Sequence, residues 1–336
     1  MSYLTDFFAL LIFVGDLATD ASTLDAMIRV ATPLILCAMA GIFSERSGVI
    51  DIGLEGKLLV GAFAAATVSV LTGSPWLGLG AAIVASVFFS AVHGFACITH
   101  RGNQVISGLA INILASALTI TIGIALFKRG GSTPSLEQTQ RFRPLEWPLS
   151  ETLADIPVLG PLYSGLLSGH NLLVYVALLA VPITWWLLWR TSFGLRIRAV
   201  GESPEAVDSA GISVHAMRYR AVLMAGLLCG IAGAYLSIAH GGGFGREMSA
   251  GKGYIALAAV IFGKWRPLNA FLACLLFGFL DAMTARLQGV ELPLIGEAPT
   301  EFMLALPYVL TVVLLAGFIG KATPPRDIGE PYPKGK

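Results

Sequence analysis

The chain has 336 residues, of which 55% are hydrophobic and only 13% charged, with a formal net charge of +1. Soluble domains carry about 25% charged residues, so this composition, with a mean hydropathy of +0.76, excludes an ordinary soluble enzyme, and nothing in the charge points to nucleic acid. Its apolar runs lack the one-sided stripes of soluble helices and predict an all-α, polytopic transmembrane helical bundle of about nine to ten spans.

Residues 1–26 hold four Asp and no Lys or Arg. Without a basic n-region or a small-residue cleavage site, they read as a retained extracytoplasmic or interfacial segment. Spans are predicted near 27–42, 54–72, 76–98, 104–127, 171–189, 221–240, 254–263, 268–288 and 302–319. The seventh is too short for an ideal crossing, so it is either a broken helix or starts as far back as Ala250. Residues 27–320 form the transmembrane domain and 321–336 a tail.

Alternating the connections puts 14 of the 22 Lys and Arg on one side, including the five arginines of 190–220 and four basic residues of the tail. By the positive-inside rule that side is cytoplasmic. Crossing of the segment at 7–15 would move the N-terminus inside as well. Cys37, Cys97, Cys229 and Cys274 all lie in apolar runs without metal-site spacing and read as packing residues.

Two small-residue faces are legible. Gly78, Ala82, Ser86, Ser90 and Gly94 recur every four residues, and Gly226, Gly230 and Ala234 repeat the device. Such faces let helices approach closely in lipid, and packing within the chain is the favoured use over a dimer seam. A weak echo between 53–80 and 251–271, running in opposite directions, suggests an inverted repeat with broken helices.

Charge gathers where it is costly. The stretch FSERSGVIDIGLEG (43–56) carries Glu45, Arg46, Asp51 and Glu55, with Lys57 following. Asp51 and Glu55 share a helical face if the second span starts early, within reach of Arg46 and Lys57. Gly48, Gly53 and Gly56 argue for irregular backbone, which a membrane tolerates beside protein or water. A cytoplasmic gate or path lining, its charges paired structurally, is favoured over a plain interfacial turn. His93, Asn103, Ser107, Asn112 and Asp281 are the other path candidates, with Asn103 and Ser107 expected on one face.

The connection at 192–220 contains its own helix signals. Ser203 suits an N-cap, Pro204 the first turn, Glu205 the positive end of the dipole and Gly211 the stop. A helix of two turns at 204–210 is unstable alone and must dock, either on this chain's own underside or in a partner's groove.

Three segments carry a family resemblance: GLRIRAVGESPEAVDSAGISV, ATPLILCAMAGIFSERSGVIDIGLEGKLLVGAF and GKGYIALAAVIFGKWRPLNA. They resemble permease subunits of ATP-binding-cassette importers in the ribose, branched-chain amino acid and nucleoside group, nearest its nucleoside/simple-sugar branch. The resemblance covers about residues 24–320. It implies that Gly201, Glu202, Ser203, Pro204, Glu205, Ala206 and Gly211 couple the chain to a cytoplasmic ABC ATPase, which would bind ATP and Mg²⁺. The chain itself would hold no cofactor. Further partners implied are a second permease subunit, identical or different, an extracytoplasmic solute-binding protein and membrane lipid, with no nucleic acid. Nucleosides or nucleobases are the expected solutes and simple sugars the alternative.

The sequence agrees that ATP is hydrolysed elsewhere, because no GxxxxGK[ST] phosphate loop occurs. An ion-coupled secondary transporter would need mid-span carboxylates, for which Asp281 alone is placed. Membrane-enzyme motifs such as HExxH and GxSxG are missing.

Overall fold

The computed structural model describes residues 20–145, 168–288 and 323–333, together with 291–292, 296–297, 305 and 309. Helices come in the order α1 (Ala21–Arg46), α2 (Leu54–Thr72), α3 (Pro75–Gly94), α4 (Gln104–Phe127), α5 (Leu172–Arg190), α6 (Ser192–Glu202), α7 (Pro204–Ser209), α8 (Val214–Ala234), α9 (Lys252–Phe262) and α10 (Pro267–Leu287). Two-residue strands β1 (Glu291–Leu292) and β2 (Gly296–Glu297) pair antiparallel. Among the described residues, seven helices are long and apolar enough to cross a bilayer. The predicted N-terminal segment at 1–19 and the body of the predicted span at 302–319 lie outside the described residues.

The short seventh span is α9, which begins at Lys252 without reaching back to Ala250. Eleven residues rise only about 16 Å, half a hydrocarbon core. Two predicted spans start too late: α1 begins at Ala21 and α8 at Val214. Each gains its first turns from residues that look like loop by composition, and Ser213 caps α8 by accepting from the Ala216 amide. Asn103 and Asn171 do the same for α4 and α5.

The chain forms two compact units. One comprises residues 1–31, 144–170 and 274–321. In it Arg286 pairs with Asp20 at 2.6 Å, and a Cβ on Gly278 would meet the Met27 carbonyl at 2.7 Å, so α1 and α10 touch along backbone.

The larger unit, residues 32–143, 171–273 and 322–336, centres on α2, α3 and α8. The stripe Gly78, Ala82, Ser86, Ser90 and Gly94 is buried along its whole length. A Cβ on Gly230 would sit 2.6 Å from Ile83 Cα, and one on Gly233 would sit 2.5 Å from the Ala62 amide. The small faces therefore serve packing within the chain, where dispersion at short range replaces the absent hydrophobic drive. All four cysteines are buried free thiols. Both α3 and α8 widen into π-helical turns at Phe95–Thr99 and Tyr235–His240. At the end of the second, Phe142 N–H donates to the Ile238 carbonyl, and Thr133 N–H to that of Phe244. The connection after α4 is thus laid along the loop that leads to α9.

Candidate functional site

Residues 47–53 form an irregular elbow between α1 and α2. Lys57 and Asp51, both fully buried, meet at 2.5 Å. Burial opposes ionisation of Asp51, but the Lys57 ammonium beside it outweighs this and holds the carboxyl below its usual range. His93 closes the cluster. Its Nε2 lies 3.0 Å from the Ile50 carbonyl, so it carries the proton and donates, leaving Nδ1 to accept from the Ser107 hydroxyl at 3.0 Å. The second Asp51 oxygen lies 3.9 Å from His93 Nε2. His93 is thus an interhelical connector joining α3, α4 and the elbow.

The other charges of the elbow find partners that spacing did not predict. Arg46 pairs with neither Asp51 nor Glu55. Its guanidinium donates to the Trp265 and Lys264 carbonyls and lies 5.6 Å from the Trp189 ring. Glu45 accepts from the Trp265 indole N–H. These two side chains hold the turn after α9, in which Lys264 and Trp265 both have positive φ. Among the described residues Glu55 has no cationic partner either. Its two oxygens accept from the Gly251 and Gly253 amides at 2.8 and 2.6 Å, meeting the orphan donors at the start of α9. Asp51 lies ahead of α2, so the two carboxylates point to separate tasks.

This contact builds a cavity. A Cβ on Gly253 would meet the Glu55 amide at 2.5 Å, and one on Gly56 would meet Asn112 Cα at 2.9 Å. Glycine at both positions brings α2, α4 and α9 to backbone distance. Beside the junction opens a cavity of about 510 Å³ lined by Glu55, Gly56, Leu59, Asn112, Ile113, Ser116, Ala117, Glu247, Gly251 and Tyr254. Asn112 spans its wall, accepting from the Gly56 amide at 2.8 Å and donating to the Ile52 carbonyl at 3.0 Å and the Tyr254 hydroxyl at 2.8 Å. Ser116 donates to Glu247. The lining mixes apolar surface with amide, hydroxyl, phenol and carboxylate groups, the make-up of a small-molecule pocket.

Of the path candidates, Glu55 and Asn112 line this cavity. Asn103 does not: it sits ahead of α4, where its side chain is used as the N-cap, accepting from the Val105 and Ile106 amides, and Ser107 turns to His93. Asp281 belongs to the other unit and is exposed on α10. Ser116, Glu247 and Tyr254 were not singled out from sequence. Ser116 could have been, since it lies one helical turn beyond Asn112.

Beyond the elbow, α6 and α7 occupy the connection between α5 and α8. The predicted short helix is α7, and Gly211 ends it at φ +78° with its amide donating to the Asp208 carbonyl. The segment before it is itself a helix, α6, capped by Thr191. The expected cap fails, since Ser203 gives α7 no side-chain hydrogen bond. Pro204 and Val207 are buried, while Glu202, Ser203, Glu205, Ala206 and Gly211 are exposed. Gly201 is buried, and a Cβ there would meet the Arg46 carbonyl at 2.3 Å, so α6 rests directly on the elbow.

The larger unit thus combines a cavity beside a charged elbow with a short helix, α7, that is exposed on one side. The family described as branched-chain amino acid transport system / permease component matches residues 23–315. The chain belongs to this family.

It is similar to the guanosine ABC transporter permease protein NupQ of Bacillus subtilis, 41% identical over 91% of this chain and 94% of the relative. The nucleoside ABC transporter permease protein NupC of Lactococcus lactis is 36% identical over 92% and 96%. A putative glucose ABC transporter permease protein, TsgC13 of Haloferax volcanii, is 36% identical over 88% and 91%. No solved structure matches the chain. The permease is a multi-pass membrane protein and a transport subunit, not an enzyme; ATP hydrolysis is carried by a separate ATPase, with a solute-binding protein as the other general partner.

Proposed function

We propose that this permease conducts nucleosides or nucleobases inward, along a path that includes the cavity between α2, α4 and the start of α9. In this reading α7 docks in a groove of the cytoplasmic ATPase, which binds ATP and Mg²⁺, and the permease itself uses no cofactor. The C-terminal tail then lies in the cytoplasm, a receptor delivers solute from outside, and a second permease subunit completes the pathway.

The observation that carries the solute class is the cavity lining, taken with the names of the relatives. Among the described residues it contains no Lys or Arg, and Glu55 is occupied by the backbone of α9, so a neutral, hydroxyl-rich solute suits it better than an anion. Glu247, and the Ser116 oxygen whose proton goes to Glu247, offer acceptors to ribose hydroxyls. Tyr254, 43% exposed, offers a ring on which a base can stack, an interaction worth about 1–3 kcal/mol. The glucose permease relative favours a sugar as the second reading.

Uptake of tritiated guanosine, uridine, ribose and glucose, measured with the cognate ATPase and receptor, separates the two. The nucleosides are expected to accumulate and to compete with one another, with Asn112→Leu and Glu247→Gln raising KM. Accumulation of a sugar that nucleosides do not inhibit would overturn the assignment.

A further inference from the structure

Residues 323–333 lie beyond the family match at 23–315, yet they are built into the larger unit by bonds to the elbow, α6, α7 and α8. Asp327 meets Arg218, at the start of α8, at 2.6 Å, and Arg218 also donates to the Glu330 carbonyl at 2.9 Å. Arg218 is 1% exposed, so the tail supplies the anion and the acceptor that a buried guanidinium requires. The backbone adds two clasps. Asp327 N–H donates to the Gly201 carbonyl at the end of α6, and Gly329 N–H to the Gly48 carbonyl in the elbow, at 2.9 and 3.0 Å. Finally Tyr332 donates to Asp208 of α7 at 3.0 Å, with its ring 6.2 Å from that of His215.

One strand of chain therefore holds the elbow, α6, α7 and the foot of α8 together. At Gly48 the packing is close, since a Cβ there would lie 3.0 Å from both the Asp327 carbonyl and an Arg218 nitrogen. A six-residue helix has too little surface and too few internal bonds to transmit force unless it is anchored. Its anchorage here is shared between Pro204 and Val207, which are buried, and Tyr332.

We propose that the tail is a transmission strap: Asp327 and Tyr332 are positioning residues that make α7 and the 47–53 elbow move as one body. This rests on the reading of α7 as the element that the ATPase drives. On that basis a stroke delivered to α7 reaches the elbow through Tyr332, Asp327 and Arg218, as well as through the α6 contact at Gly201. The strap acts on transport per ATP hydrolysed rather than on solute affinity.

The test uses full complexes of permease, ATPase and receptor in proteoliposomes, matched for ATPase content, with ATP hydrolysis and solute uptake measured together. Three variants are compared with the parent: truncation after Ala322, Asp327→Asn and Tyr332→Phe, the last removing one hydroxyl and leaving the buried ion pair intact. The proposal expects hydrolysis within about twofold of the parent. It expects uptake per ATP to fall at least tenfold on truncation and about threefold for Tyr332→Phe, with KM unchanged. An unchanged uptake-to-hydrolysis ratio in all three overturns it. Loss of ATPase from the truncated complex, with normal ratios in the two point variants, also overturns it by making the tail a docking or folding element. The reading of α7 itself fails separately, if the parent chain takes up solute at full rate when the ATPase is omitted.

Discussion

The elbow at 47–53 with the helix ends that flank it, and the α6–α7 segment at 191–213, are both charged breaks between apolar helices, yet they are stabilised in opposite ways. In and beside the elbow Glu45, Asp51, Glu55 and Lys57 are buried, and each acts on a defined group: an indole, an ammonium, the amides of α9, a carboxylate. In the α6–α7 segment Glu202 and Glu205 face outward, and the buried side chains include Ile197, Val200, Pro204 and Val207. One break keeps its polarity for the inside of the molecule; the other buries apolar residues and leaves its polarity exposed. A buried polar network holds one geometry firmly because every missing bond is expensive. An exposed charged face costs little to keep and is free to be recognised.

Breaking the elbow should therefore be costly in stability. Lys57→Ala leaves Asp51 as an uncompensated buried charge and is expected to lose about 3–5 kcal/mol. A large drop in the melting temperature of the detergent-solubilised protein would register it. The double change Asp51→Leu with Lys57→Met should recover much of that loss, because it removes the charge and its partner together. Gly201→Ala strikes where the two regions meet, pushing a methyl against the Arg46 carbonyl. We expect a loss of about 1–3 kcal/mol by overpacking, seen as a smaller fall in melting temperature and weaker uptake.

Glu55→Gln retains the shape but replaces one of the two oxygens that hold the start of α9. About 1–3 kcal/mol should be lost with the charge-assisted bonds, and hydrogen exchange at the Gly251 and Gly253 amides should quicken. Smallest in stability is Glu205→Arg on the exposed side of α7, expected within about 0.5 kcal/mol of the parent. Its effect belongs to the partner: pull-down of the ATPase should weaken while the melting temperature holds. A substitution at Glu205 as destabilising as Lys57→Ala would erase the contrast between the two regions.

Much of this arrangement was legible in the sequence, because membranes impose strong rules on backbone and charge. The apolar runs located the helices, and the four-residue stripe announced the seam between α3 and α8. Ser203, Pro204 and Gly211 delimited α7, although Ser203 does so without its side chain. Pairings set by tertiary contact were not legible. Glu55 looked like a partner for Lys57 by spacing, but it reaches across to amides 196 and 198 residues away in the chain. Arg46 was drawn instead to carbonyls freed by the positive-φ turn at Lys264 and Trp265, a conformation nothing in their side chains advertises. Arg218 passed for a topology charge because its partner Asp327 lies more than a hundred residues along. Glu247 gave no periodic signal, since it sits in loop rather than helix.

We propose that ATP-driven movement enters this permease through α7. The most direct measurement compares ATP-dependent uptake of tritiated guanosine by the parent complex and by one lacking residues 203–211, with the shortened chain verified in the membrane. Uptake should require both the ATPase and those residues, so the shortened complex is expected at background. Uptake that persists without residues 203–211, or without the ATPase, would contradict the account and turn attention to an ion gradient as the source of energy.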